Sequence, residues 1–595
     1  MQQLSVAAAF AGSWFKTNAK LLVACFAVGL ICHFQMYSNG IMVFDGMVSA
    51  DNASGYGWFM ANGWDLSLGR WGLLFATMAK AGLCSPTLVS AISLALFAVG
   101  IVALISLLGI EKPLLRYLTA FTLICTPFVS GSLVYYYCSN SYALCFTCAI
   151  LAAAAQGRPG SAWAPWRIVS GALLLVFALG CYQASMGVFC ITGLLVLVAA
   201  SLERAPRTVL THFGKLLVVL AVGVVLYFVV NSAVLAVAGF SMGEYGGASS
   251  ISAASIFSSL PSSIVLAYSS FAALMFGQGV FGNSFYEPKI MALFVCLVII
   301  LLAVSVGKRG KRQAAGSVLT VLFVALLPLA ANIVIIAASS YGAPTIPMVG
   351  GFVASLALLP VLAQACCGVP SAVEGSVTAA QRAEITGVAQ GESAAIGKSY
   401  VGAPFASALR KETSGAEQAE GSFPTGSVSL VGNAAKVALA ATCILLALLA
   451  WSYALQCNAD SEVMLLEQNQ AQSLTVRAVA ALEANESVKN GAQVLIVGNP
   501  QQGNYPSTSS FYGKASDYAR YGITHPYQYT NNYRCWRALE MKYAGVYLNL
   551  CEMDQVAELC QTFEFQAMPT FPNEGSIAEV NGVVVLKISN TNGWE

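Results

Sequence analysis

The stretch GWDLSLGRWG, Gly63 to Gly72, sets an acid, Asp65, five residues from an arginine, Arg70, and brackets both with Trp64 and Trp71. It lies a short way beyond the first apolar run of the chain. A guanidinium offers a planar fork that meets a phosphate through two parallel hydrogen bonds. Two further acids precede it, Asp45 in MVFDGM and Asp51 in SADN. A carboxylate in such a loop can take the proton of a hydroxyl nucleophile. Together these groups are the equipment for transfer from a phosphate-linked donor. Plainer readings exist for each residue. An aspartate just past an apolar run can simply end a helix in water, and tryptophan near a helix end usually belongs to the interfacial belt. The presence of Asp45 and Arg70 in one loop favours chemistry.

Other polar residues gather in comparable places. YYYCSNSY, Tyr135 to Tyr142, includes Asn140; CYQAS carries Tyr182 and Gln183; GEYGG carries Glu244; NSFYEPK ends at Lys289. Gln183 can equally serve as a bridge between two helices.

These residues must be positioned by apolar elements. The chain has 595 residues, 57% hydrophobic and 9% charged, with a mean hydropathy of +0.70. A soluble domain carries roughly 25% charged residues, so a polytopic membrane protein is expected. About eleven spans are read, near the ~20 residues a bilayer needs but with two shorter ones: 19–38, 86–109, 116–136, 141–157, 167–181, 185–202, 215–239, 288–307, 316–338, 348–365 and 434–456. The break between the fifth and sixth falls at CYQAS. Residues 71–84 read as a short interfacial helix. With the N-terminus in the cytoplasm, Lys16, Lys20, Arg116, Arg158, Arg204 and the KRGKR run, Lys308 to Arg312, all fall inside. The outer loops are then nearly free of basic residues, which is the positive-inside asymmetry. The polar clusters above fall together on the outside.

The expected organisation is a multi-span domain over 1–365, a cytoplasmic linker over 366–433 rich in Gly, Ala, Ser and Thr, a last span over 434–456 and an extracytoplasmic tail over 457–595. In the tail, AQVLIVGNP and GVVVLKIS read as buried strands, and the run from Ala459 to Asn485 as a helix with an apolar stripe. A small α/β domain is expected there. Its cysteines Cys457, Cys535, Cys551 and Cys560 permit disulfides in an oxidising compartment, and at least one is expected among the last three. The three histidines, His33, His212 and His525, are too scattered for a histidine metal site. No basic stripe for nucleic acid is present.

An enzyme facing outward has neither ATP nor nucleotide sugars, and no Gly-rich phosphate loop appears here. A sugar on polyprenyl phosphate fits such a site: the arginine would neutralise the leaving phosphate. The ordered set FDGM, LSLGRW and YQAS along a string of spans resembles the Gtr-type glucosyltransferase family, second group, over roughly residues 20–365. That resemblance implies a GT-C-like fold and a polyprenyl-phosphate sugar as donor. It also implies a glycan or glycolipid acceptor and membrane lipid as surroundings. It gives Asp45 the place of the first-loop acid and proposed base, Arg70 and Trp71 the GRW place, and Tyr182 and Gln183 the YQ place. Asp65 and Glu244 join them as substrate-contact candidates. Many GT-C enzymes carry two adjacent acids in that loop, whereas Gly46 follows Asp45 here. The base assignment therefore stays open to Asp51; the case for a divalent cation is weakened, so no cofactor is assigned, with a divalent cation kept as the alternative. Asn140 stands where relatives often carry an acid, so it is assigned to substrate contact and not to proton transfer.

Three other functions compete. A carrier of lipid-linked saccharide should place charges at mid-membrane and show paired repeats, but the inner parts of these spans are nearly uncharged. A polysaccharide polymerase or ligase should hold more outer arginines. A scaffold leaves the Asp and Arg loop unexplained.

Overall fold

The structure is a computed structural model. It describes residues 2–43, 63–79, 85–135, 137–243, 253–276, 287–307, 314–337, 345–367, 426–498, 533–551 and 556–589. Asp45, Asp51, Glu244, the KRGKR run and most of the linker lie outside the described residues.

Helices α1 (Gln2–Cys32), α2 (Phe34–Ser38), α3 (Gly63–Ser67) and α4 (Gly72–Ala79) open the chain. They are followed by α5 (Pro86–Leu107), α6 (Pro113–Ile124), α7 (Pro127–Leu133), α8 (Ser139–Ala154), α9 (Pro165–Cys181), α10 (Ser185–Glu203) and α11 (Pro206–Ala238). Five of these begin with proline, whose missing N–H is unpaired at a first helical position anyway. The α9–α10 break falls at Tyr182–Ala184, where the sequence placed it, and α4 is the short helix expected after Trp71. Apolar residues from α1 and α5 to α10 pack into one core, with α8 between α5 and α9.

The third expected span is bent by 44° between α6 and α7. Pro127 has no N–H to give Leu123, and the Thr126 hydroxyl donates to that carbonyl instead, at 2.8 Å. His33 Nε2 donates to the Ile124 carbonyl at 2.9 Å, and the Cys457 thiol reaches the Cys125 carbonyl at 3.3 Å. The Ser130 hydroxyl meets His33 Nδ1 at 2.6 Å. The opened backbone is thus satisfied by side chains, as a break inside an apolar core requires.

Next come α12 (Ala253–Met275), α13 (Glu287–Gly307), α14 (Ala314–Ala325), α15 (Leu327–Ala331), α16 (Ile333–Ala337), α17 (Gly350–Ser355) and α18 (Leu358–Cys366). Helix α12 corrects the expected plan. The sequence put residues 240–287 in a loop, yet α12 contains a 19-residue stretch, Phe257–Met275, long and apolar enough to cross a bilayer. Its seven serines and Pro261 mask it in a hydropathy reading. Serine hydroxyls fold back onto helix carbonyls, as Ser262 does onto Ser259 O at 2.8 Å. Asn332 Nδ2 donates to Ala267 O at 2.9 Å and Phe271 meets Phe352, so α12 packs on the α15–α17 region. Among the described residues seven helices are long and apolar enough to cross, or eight with the bent pair, besides four shorter apolar ones.

The last long helix, α19 (Gly426–Glu483), has 58 residues and no break at 456/457, where the sequence reading divided span from tail. At 1.5 Å per residue it is about 87 Å long. Beyond it, β1 (Val494–Val497), α20 (Tyr533–Leu539), β2 (Ile577–Val580) and β3 (Val583–Lys587) carry the tail. The sheet order is β1-β3-β2, with β1 parallel and β2 antiparallel to β3. Asn581 and Gly582, both at positive φ, make the β2–β3 turn. One face of the sheet packs on Leu474, Val479 and Leu482 of α19; the other packs on Phe565, Cys551 and Cys560. Burial on both faces explains why the strands read as continuous apolar runs. The expected tail disulfide is not formed: Cys535, Cys551 and Cys560 are buried thiols, as is Cys457. They fill apolar space, as cysteine commonly does.

Candidate active site

The LSLGRW element is a turn between α3 and α4. Gly69 N donates to Leu66 O and Arg70 N to Asp65 O, both at 2.9 Å. Gly69 closes this turn with φ +74, and a Cβ there would overlap Tyr227 Oη. The turn is fastened from two helices. Gln183 Nε2, at the α9–α10 break, donates to Leu68 O at 2.7 Å and to Tyr227 Oη at 2.9 Å. Tyr227 Oη, on α11, donates to Gly69 O at 3.2 Å. Gln183 is therefore a helix bridge and also a clamp on the arginine-bearing turn. Trp71 lies against Gly180, where any side chain would overlap its ring, and it meets Phe177 at 6.3 Å. That contact fixes the depth of α4 on α9.

So held, the Arg70 guanidinium lies 5.2 Å over the ring of Tyr182. Among the described residues it makes no side-chain hydrogen bond or ion pair, and its Nε is sealed from solvent without a partner. Burial works against its charge, but Tyr142, Tyr182 and Asp65 outweigh that and hold its pKa above the ordinary value. Asp65 is itself buried. Beyond Tyr182 the rings continue: Tyr142 at 5.0 Å from Tyr182, Tyr135 at 5.9 Å from Tyr142, and Tyr137 at 6.4 Å from Tyr135.

Other polar atoms near the turn are also without partners among the described residues. Asn140 Nδ2 donates to Ala76 O at 2.7 Å, while its Oδ1 is sealed and unpaired. Trp71 Nε1 is unpaired as well. Asn231 Oδ1 is unpaired, close to Gly69. A buried polar group without a partner costs about 1–3 kcal/mol. Several of these atoms lie in the elements that carry and clamp the arginine turn.

The structure thus brings together Asp65, Arg70, Trp71, Asn140, Tyr182 and Gln183. Tyr227 and Asn231 were missed by sequence reasoning. Their signal was a tyrosine and an asparagine four residues apart inside the uncharged run of α11. The segment leading to Asp45 is also held. Val43 N donates to Val134 O at 3.3 Å, next to Tyr135, and Met42 N donates to Gln468 Oε1 of α19 at 3.4 Å.

Among the described residues, one grouping has metal-ligand spacing: Cys32, His33 and Cys457, with ligand atoms within 4.8 Å of one another. Both His33 nitrogens are already committed to Ile124 O and Ser130. Two thiols and an imidazole are also a soft set, unlike the oxygen ligands that Mg²⁺ or Ca²⁺ takes. The trio closes the α6–α7 break and does not fit a divalent cation acting on a phosphate.

Long apolar helices around one core, with this polar cluster beside it, define a polytopic helical membrane protein. The glucosyl transferase GtrII family model matches residues 40–360, more than half the chain, and the chain belongs to that family. Membership makes it a transferase that takes a sugar donor and an acceptor. No curated protein and no solved structure matches it.

Proposed function

We propose that the protein moves a glucosyl unit from polyprenyl phosphate to an extracytoplasmic glycan or glycolipid, in a GT-C-like fold, with Arg70 on the donor phosphate. The observation that carries this reading is the Arg70 guanidinium: clamped in position, backed by Tyr182, and without an acceptor of its own among the described residues. A phosphate would fill its fork. As the bond from the anomeric carbon to the phosphate oxygen breaks, the electron pair leaves on that phosphate. A fixed cation beside it stabilises the charge as it develops. The acceptor hydroxyl then needs a base, and Asp45 is assigned that role. The segment ahead of it is held where Val43 N donates to Val134 O, next to Tyr135 in the chain. Asp51 is the second choice, Glu244 and Asp65 remain substrate-contact candidates, and no cation is assigned to the step. The proposed orientation keeps the N-terminus and KRGKR in the cytoplasm and the tail outside.

The test is transfer by purified protein given synthetic polyprenyl-phosphate glucose and glycans from cells lacking the chain. Arg70→Lys keeps the charge but loses the fork, and should raise the donor KM about tenfold or more. Arg70→Ala should leave no measurable transfer. Wild-type turnover in Arg70→Ala would remove the phosphate role.

A further inference from the structure

If Arg70 holds the donor phosphate, the hexose is only one ester oxygen away. It must lie against whatever surrounds the guanidinium. On one side that surface is a run of tyrosines. Tyr182 lies under the guanidinium, Tyr142 meets Tyr182 edge to face at 77°, and Tyr135 meets Tyr142 at 83°. Tyr137 extends the run from Tyr135. In each T-shaped contact the edge of one ring meets the face of the next. A pyranose presents C–H groups on its two faces and hydroxyls around its rim. Aromatic faces take the first, and phenol hydroxyls take the second.

Interfacial belt tyrosines would give a different picture. They would face lipid and be largely exposed. Tyr142 is 7% exposed and packs with Leu73 and Cys138 in a small cluster apart from the main core. Its ring is buried, while its hydroxyl is not among the polar atoms sealed without a partner. The same helix start carries Asn140, with its sealed, unpaired Oδ1. A sealed, unpaired amide oxygen two residues from this tyrosine, beside a guanidinium whose Nε is likewise unpaired among the described residues, points to a ligand rich in hydroxyls.

We propose that Tyr142, with Tyr135, Tyr137 and Tyr182, forms the wall that receives the donor's hexose, Tyr142 giving both a ring face and a hydroxyl contact. The proposal rests on the donor reading above and adds the part of the site that recognises the sugar. A wall of this kind favours a pyranose whose hydroxyls are all equatorial, because an axial hydroxyl interrupts the C–H face that stacks. Glucose meets that condition.

The experiment measures binding of two lipids to the full-length protein in nanodiscs: synthetic polyprenyl phosphate, and the same lipid carrying glucose. Wild type should prefer the glucose-bearing lipid by about tenfold or more. Tyr142→Leu should bring that ratio close to one while leaving the affinity for the bare phosphate unchanged. Tyr142→Phe keeps the ring and its packing, and should lower the ratio about threefold to tenfold, as loss of one hydrogen bond does. A wild-type ratio in Tyr142→Phe and Tyr142→Leu together overturns the wall, and so does wild type binding both lipids equally. Failure of wild type to bind either lipid overturns the donor reading itself, and the wall with it. Arg70→Ala supplies the contrast, because it should weaken both lipids alike.

Discussion

Arg70 shows how a single residue is made available. Its backbone is set by the turn that Gly69 permits, and its ring neighbour Tyr182 supports it from below. Nothing among the described residues competes for its fork. The proposed base is a different case, because it must act on an acceptor and not on the donor. Asp45→Asn removes a proton acceptor and keeps shape. It should abolish glucosyl transfer, a loss of about a hundredfold or more, while the affinity for polyprenyl-phosphate glucose stays within about twofold. Turnover and donor binding measured on the same preparation check this. If Asp45→Asn turns over normally and Asp51→Asn does not, the base is Asp51.

At the scale of elements, the site is made by breaks. Tyr182 and Gln183 reach the arginine turn because α9 stops at Cys181 and α10 starts at Ser185. Helix α12 raises the question of how many elements cross. It is the least apolar of the candidate spans among the described residues, carries Pro261 inside it, and leans on the broken α14–α16 segment. The proposed orientation requires α12 to enter and return on the outer side, since one more crossing would put KRGKR outside. Cysteines placed at Gly247 and Gly282 in a cysteine-free background should both react with a membrane-impermeant reagent on intact cells. Labelling at Gly247 alone would make α12 a full crossing. It would invert every later segment and move the tail away from the acceptor side.

The whole molecule is tied together by α19. It lies on α6 and α13, meets α2 and α7, and then forms one wall of the sheet core. Gln468 holds Met42, and Gln35 donates to Glu462, so the segment leading to Asp45 rests on the same helix that carries the tail. One turn of this helix is costly. Glu467 is fully buried, and neither carboxylate oxygen has a partner among the described residues. Replacing it by leucine removes an unpaired polar group from among Met464 and Ala471, and should stabilise the protein by about 1–3 kcal/mol. Thermal unfolding of the purified variant decides this, and a lower midpoint than wild type would contradict it. Within the tail, Lys587 is buried and donates to the carbonyls of Phe565, Gln566 and Met568. In this way it joins β3 to the chain ahead of β2.

The sequence by itself determined the class of molecule, because hydropathy and charge asymmetry need no tertiary information to be read. It also located LSLGRW, the YQAS break and both apolar strands of the tail. Each of these is a local pattern: a motif, an interruption of a run, a stretch of β-branched residues. It missed α12, whose serines lower hydropathy although hydroxyls such as those of Ser262 and Ser269 are satisfied by the helix itself. It expected a tail disulfide that the structure does not form, because spacing cannot tell a bridging cysteine from one that fills a core. Only the tertiary structure decided that Tyr227 and Gln183 grip the same turn across 44 residues, that Tyr142 stands beside Tyr182, and that no described side chain occupies the fork of Arg70. These are contacts between distant segments, set by how helices pack, and no local pattern in the chain encodes them.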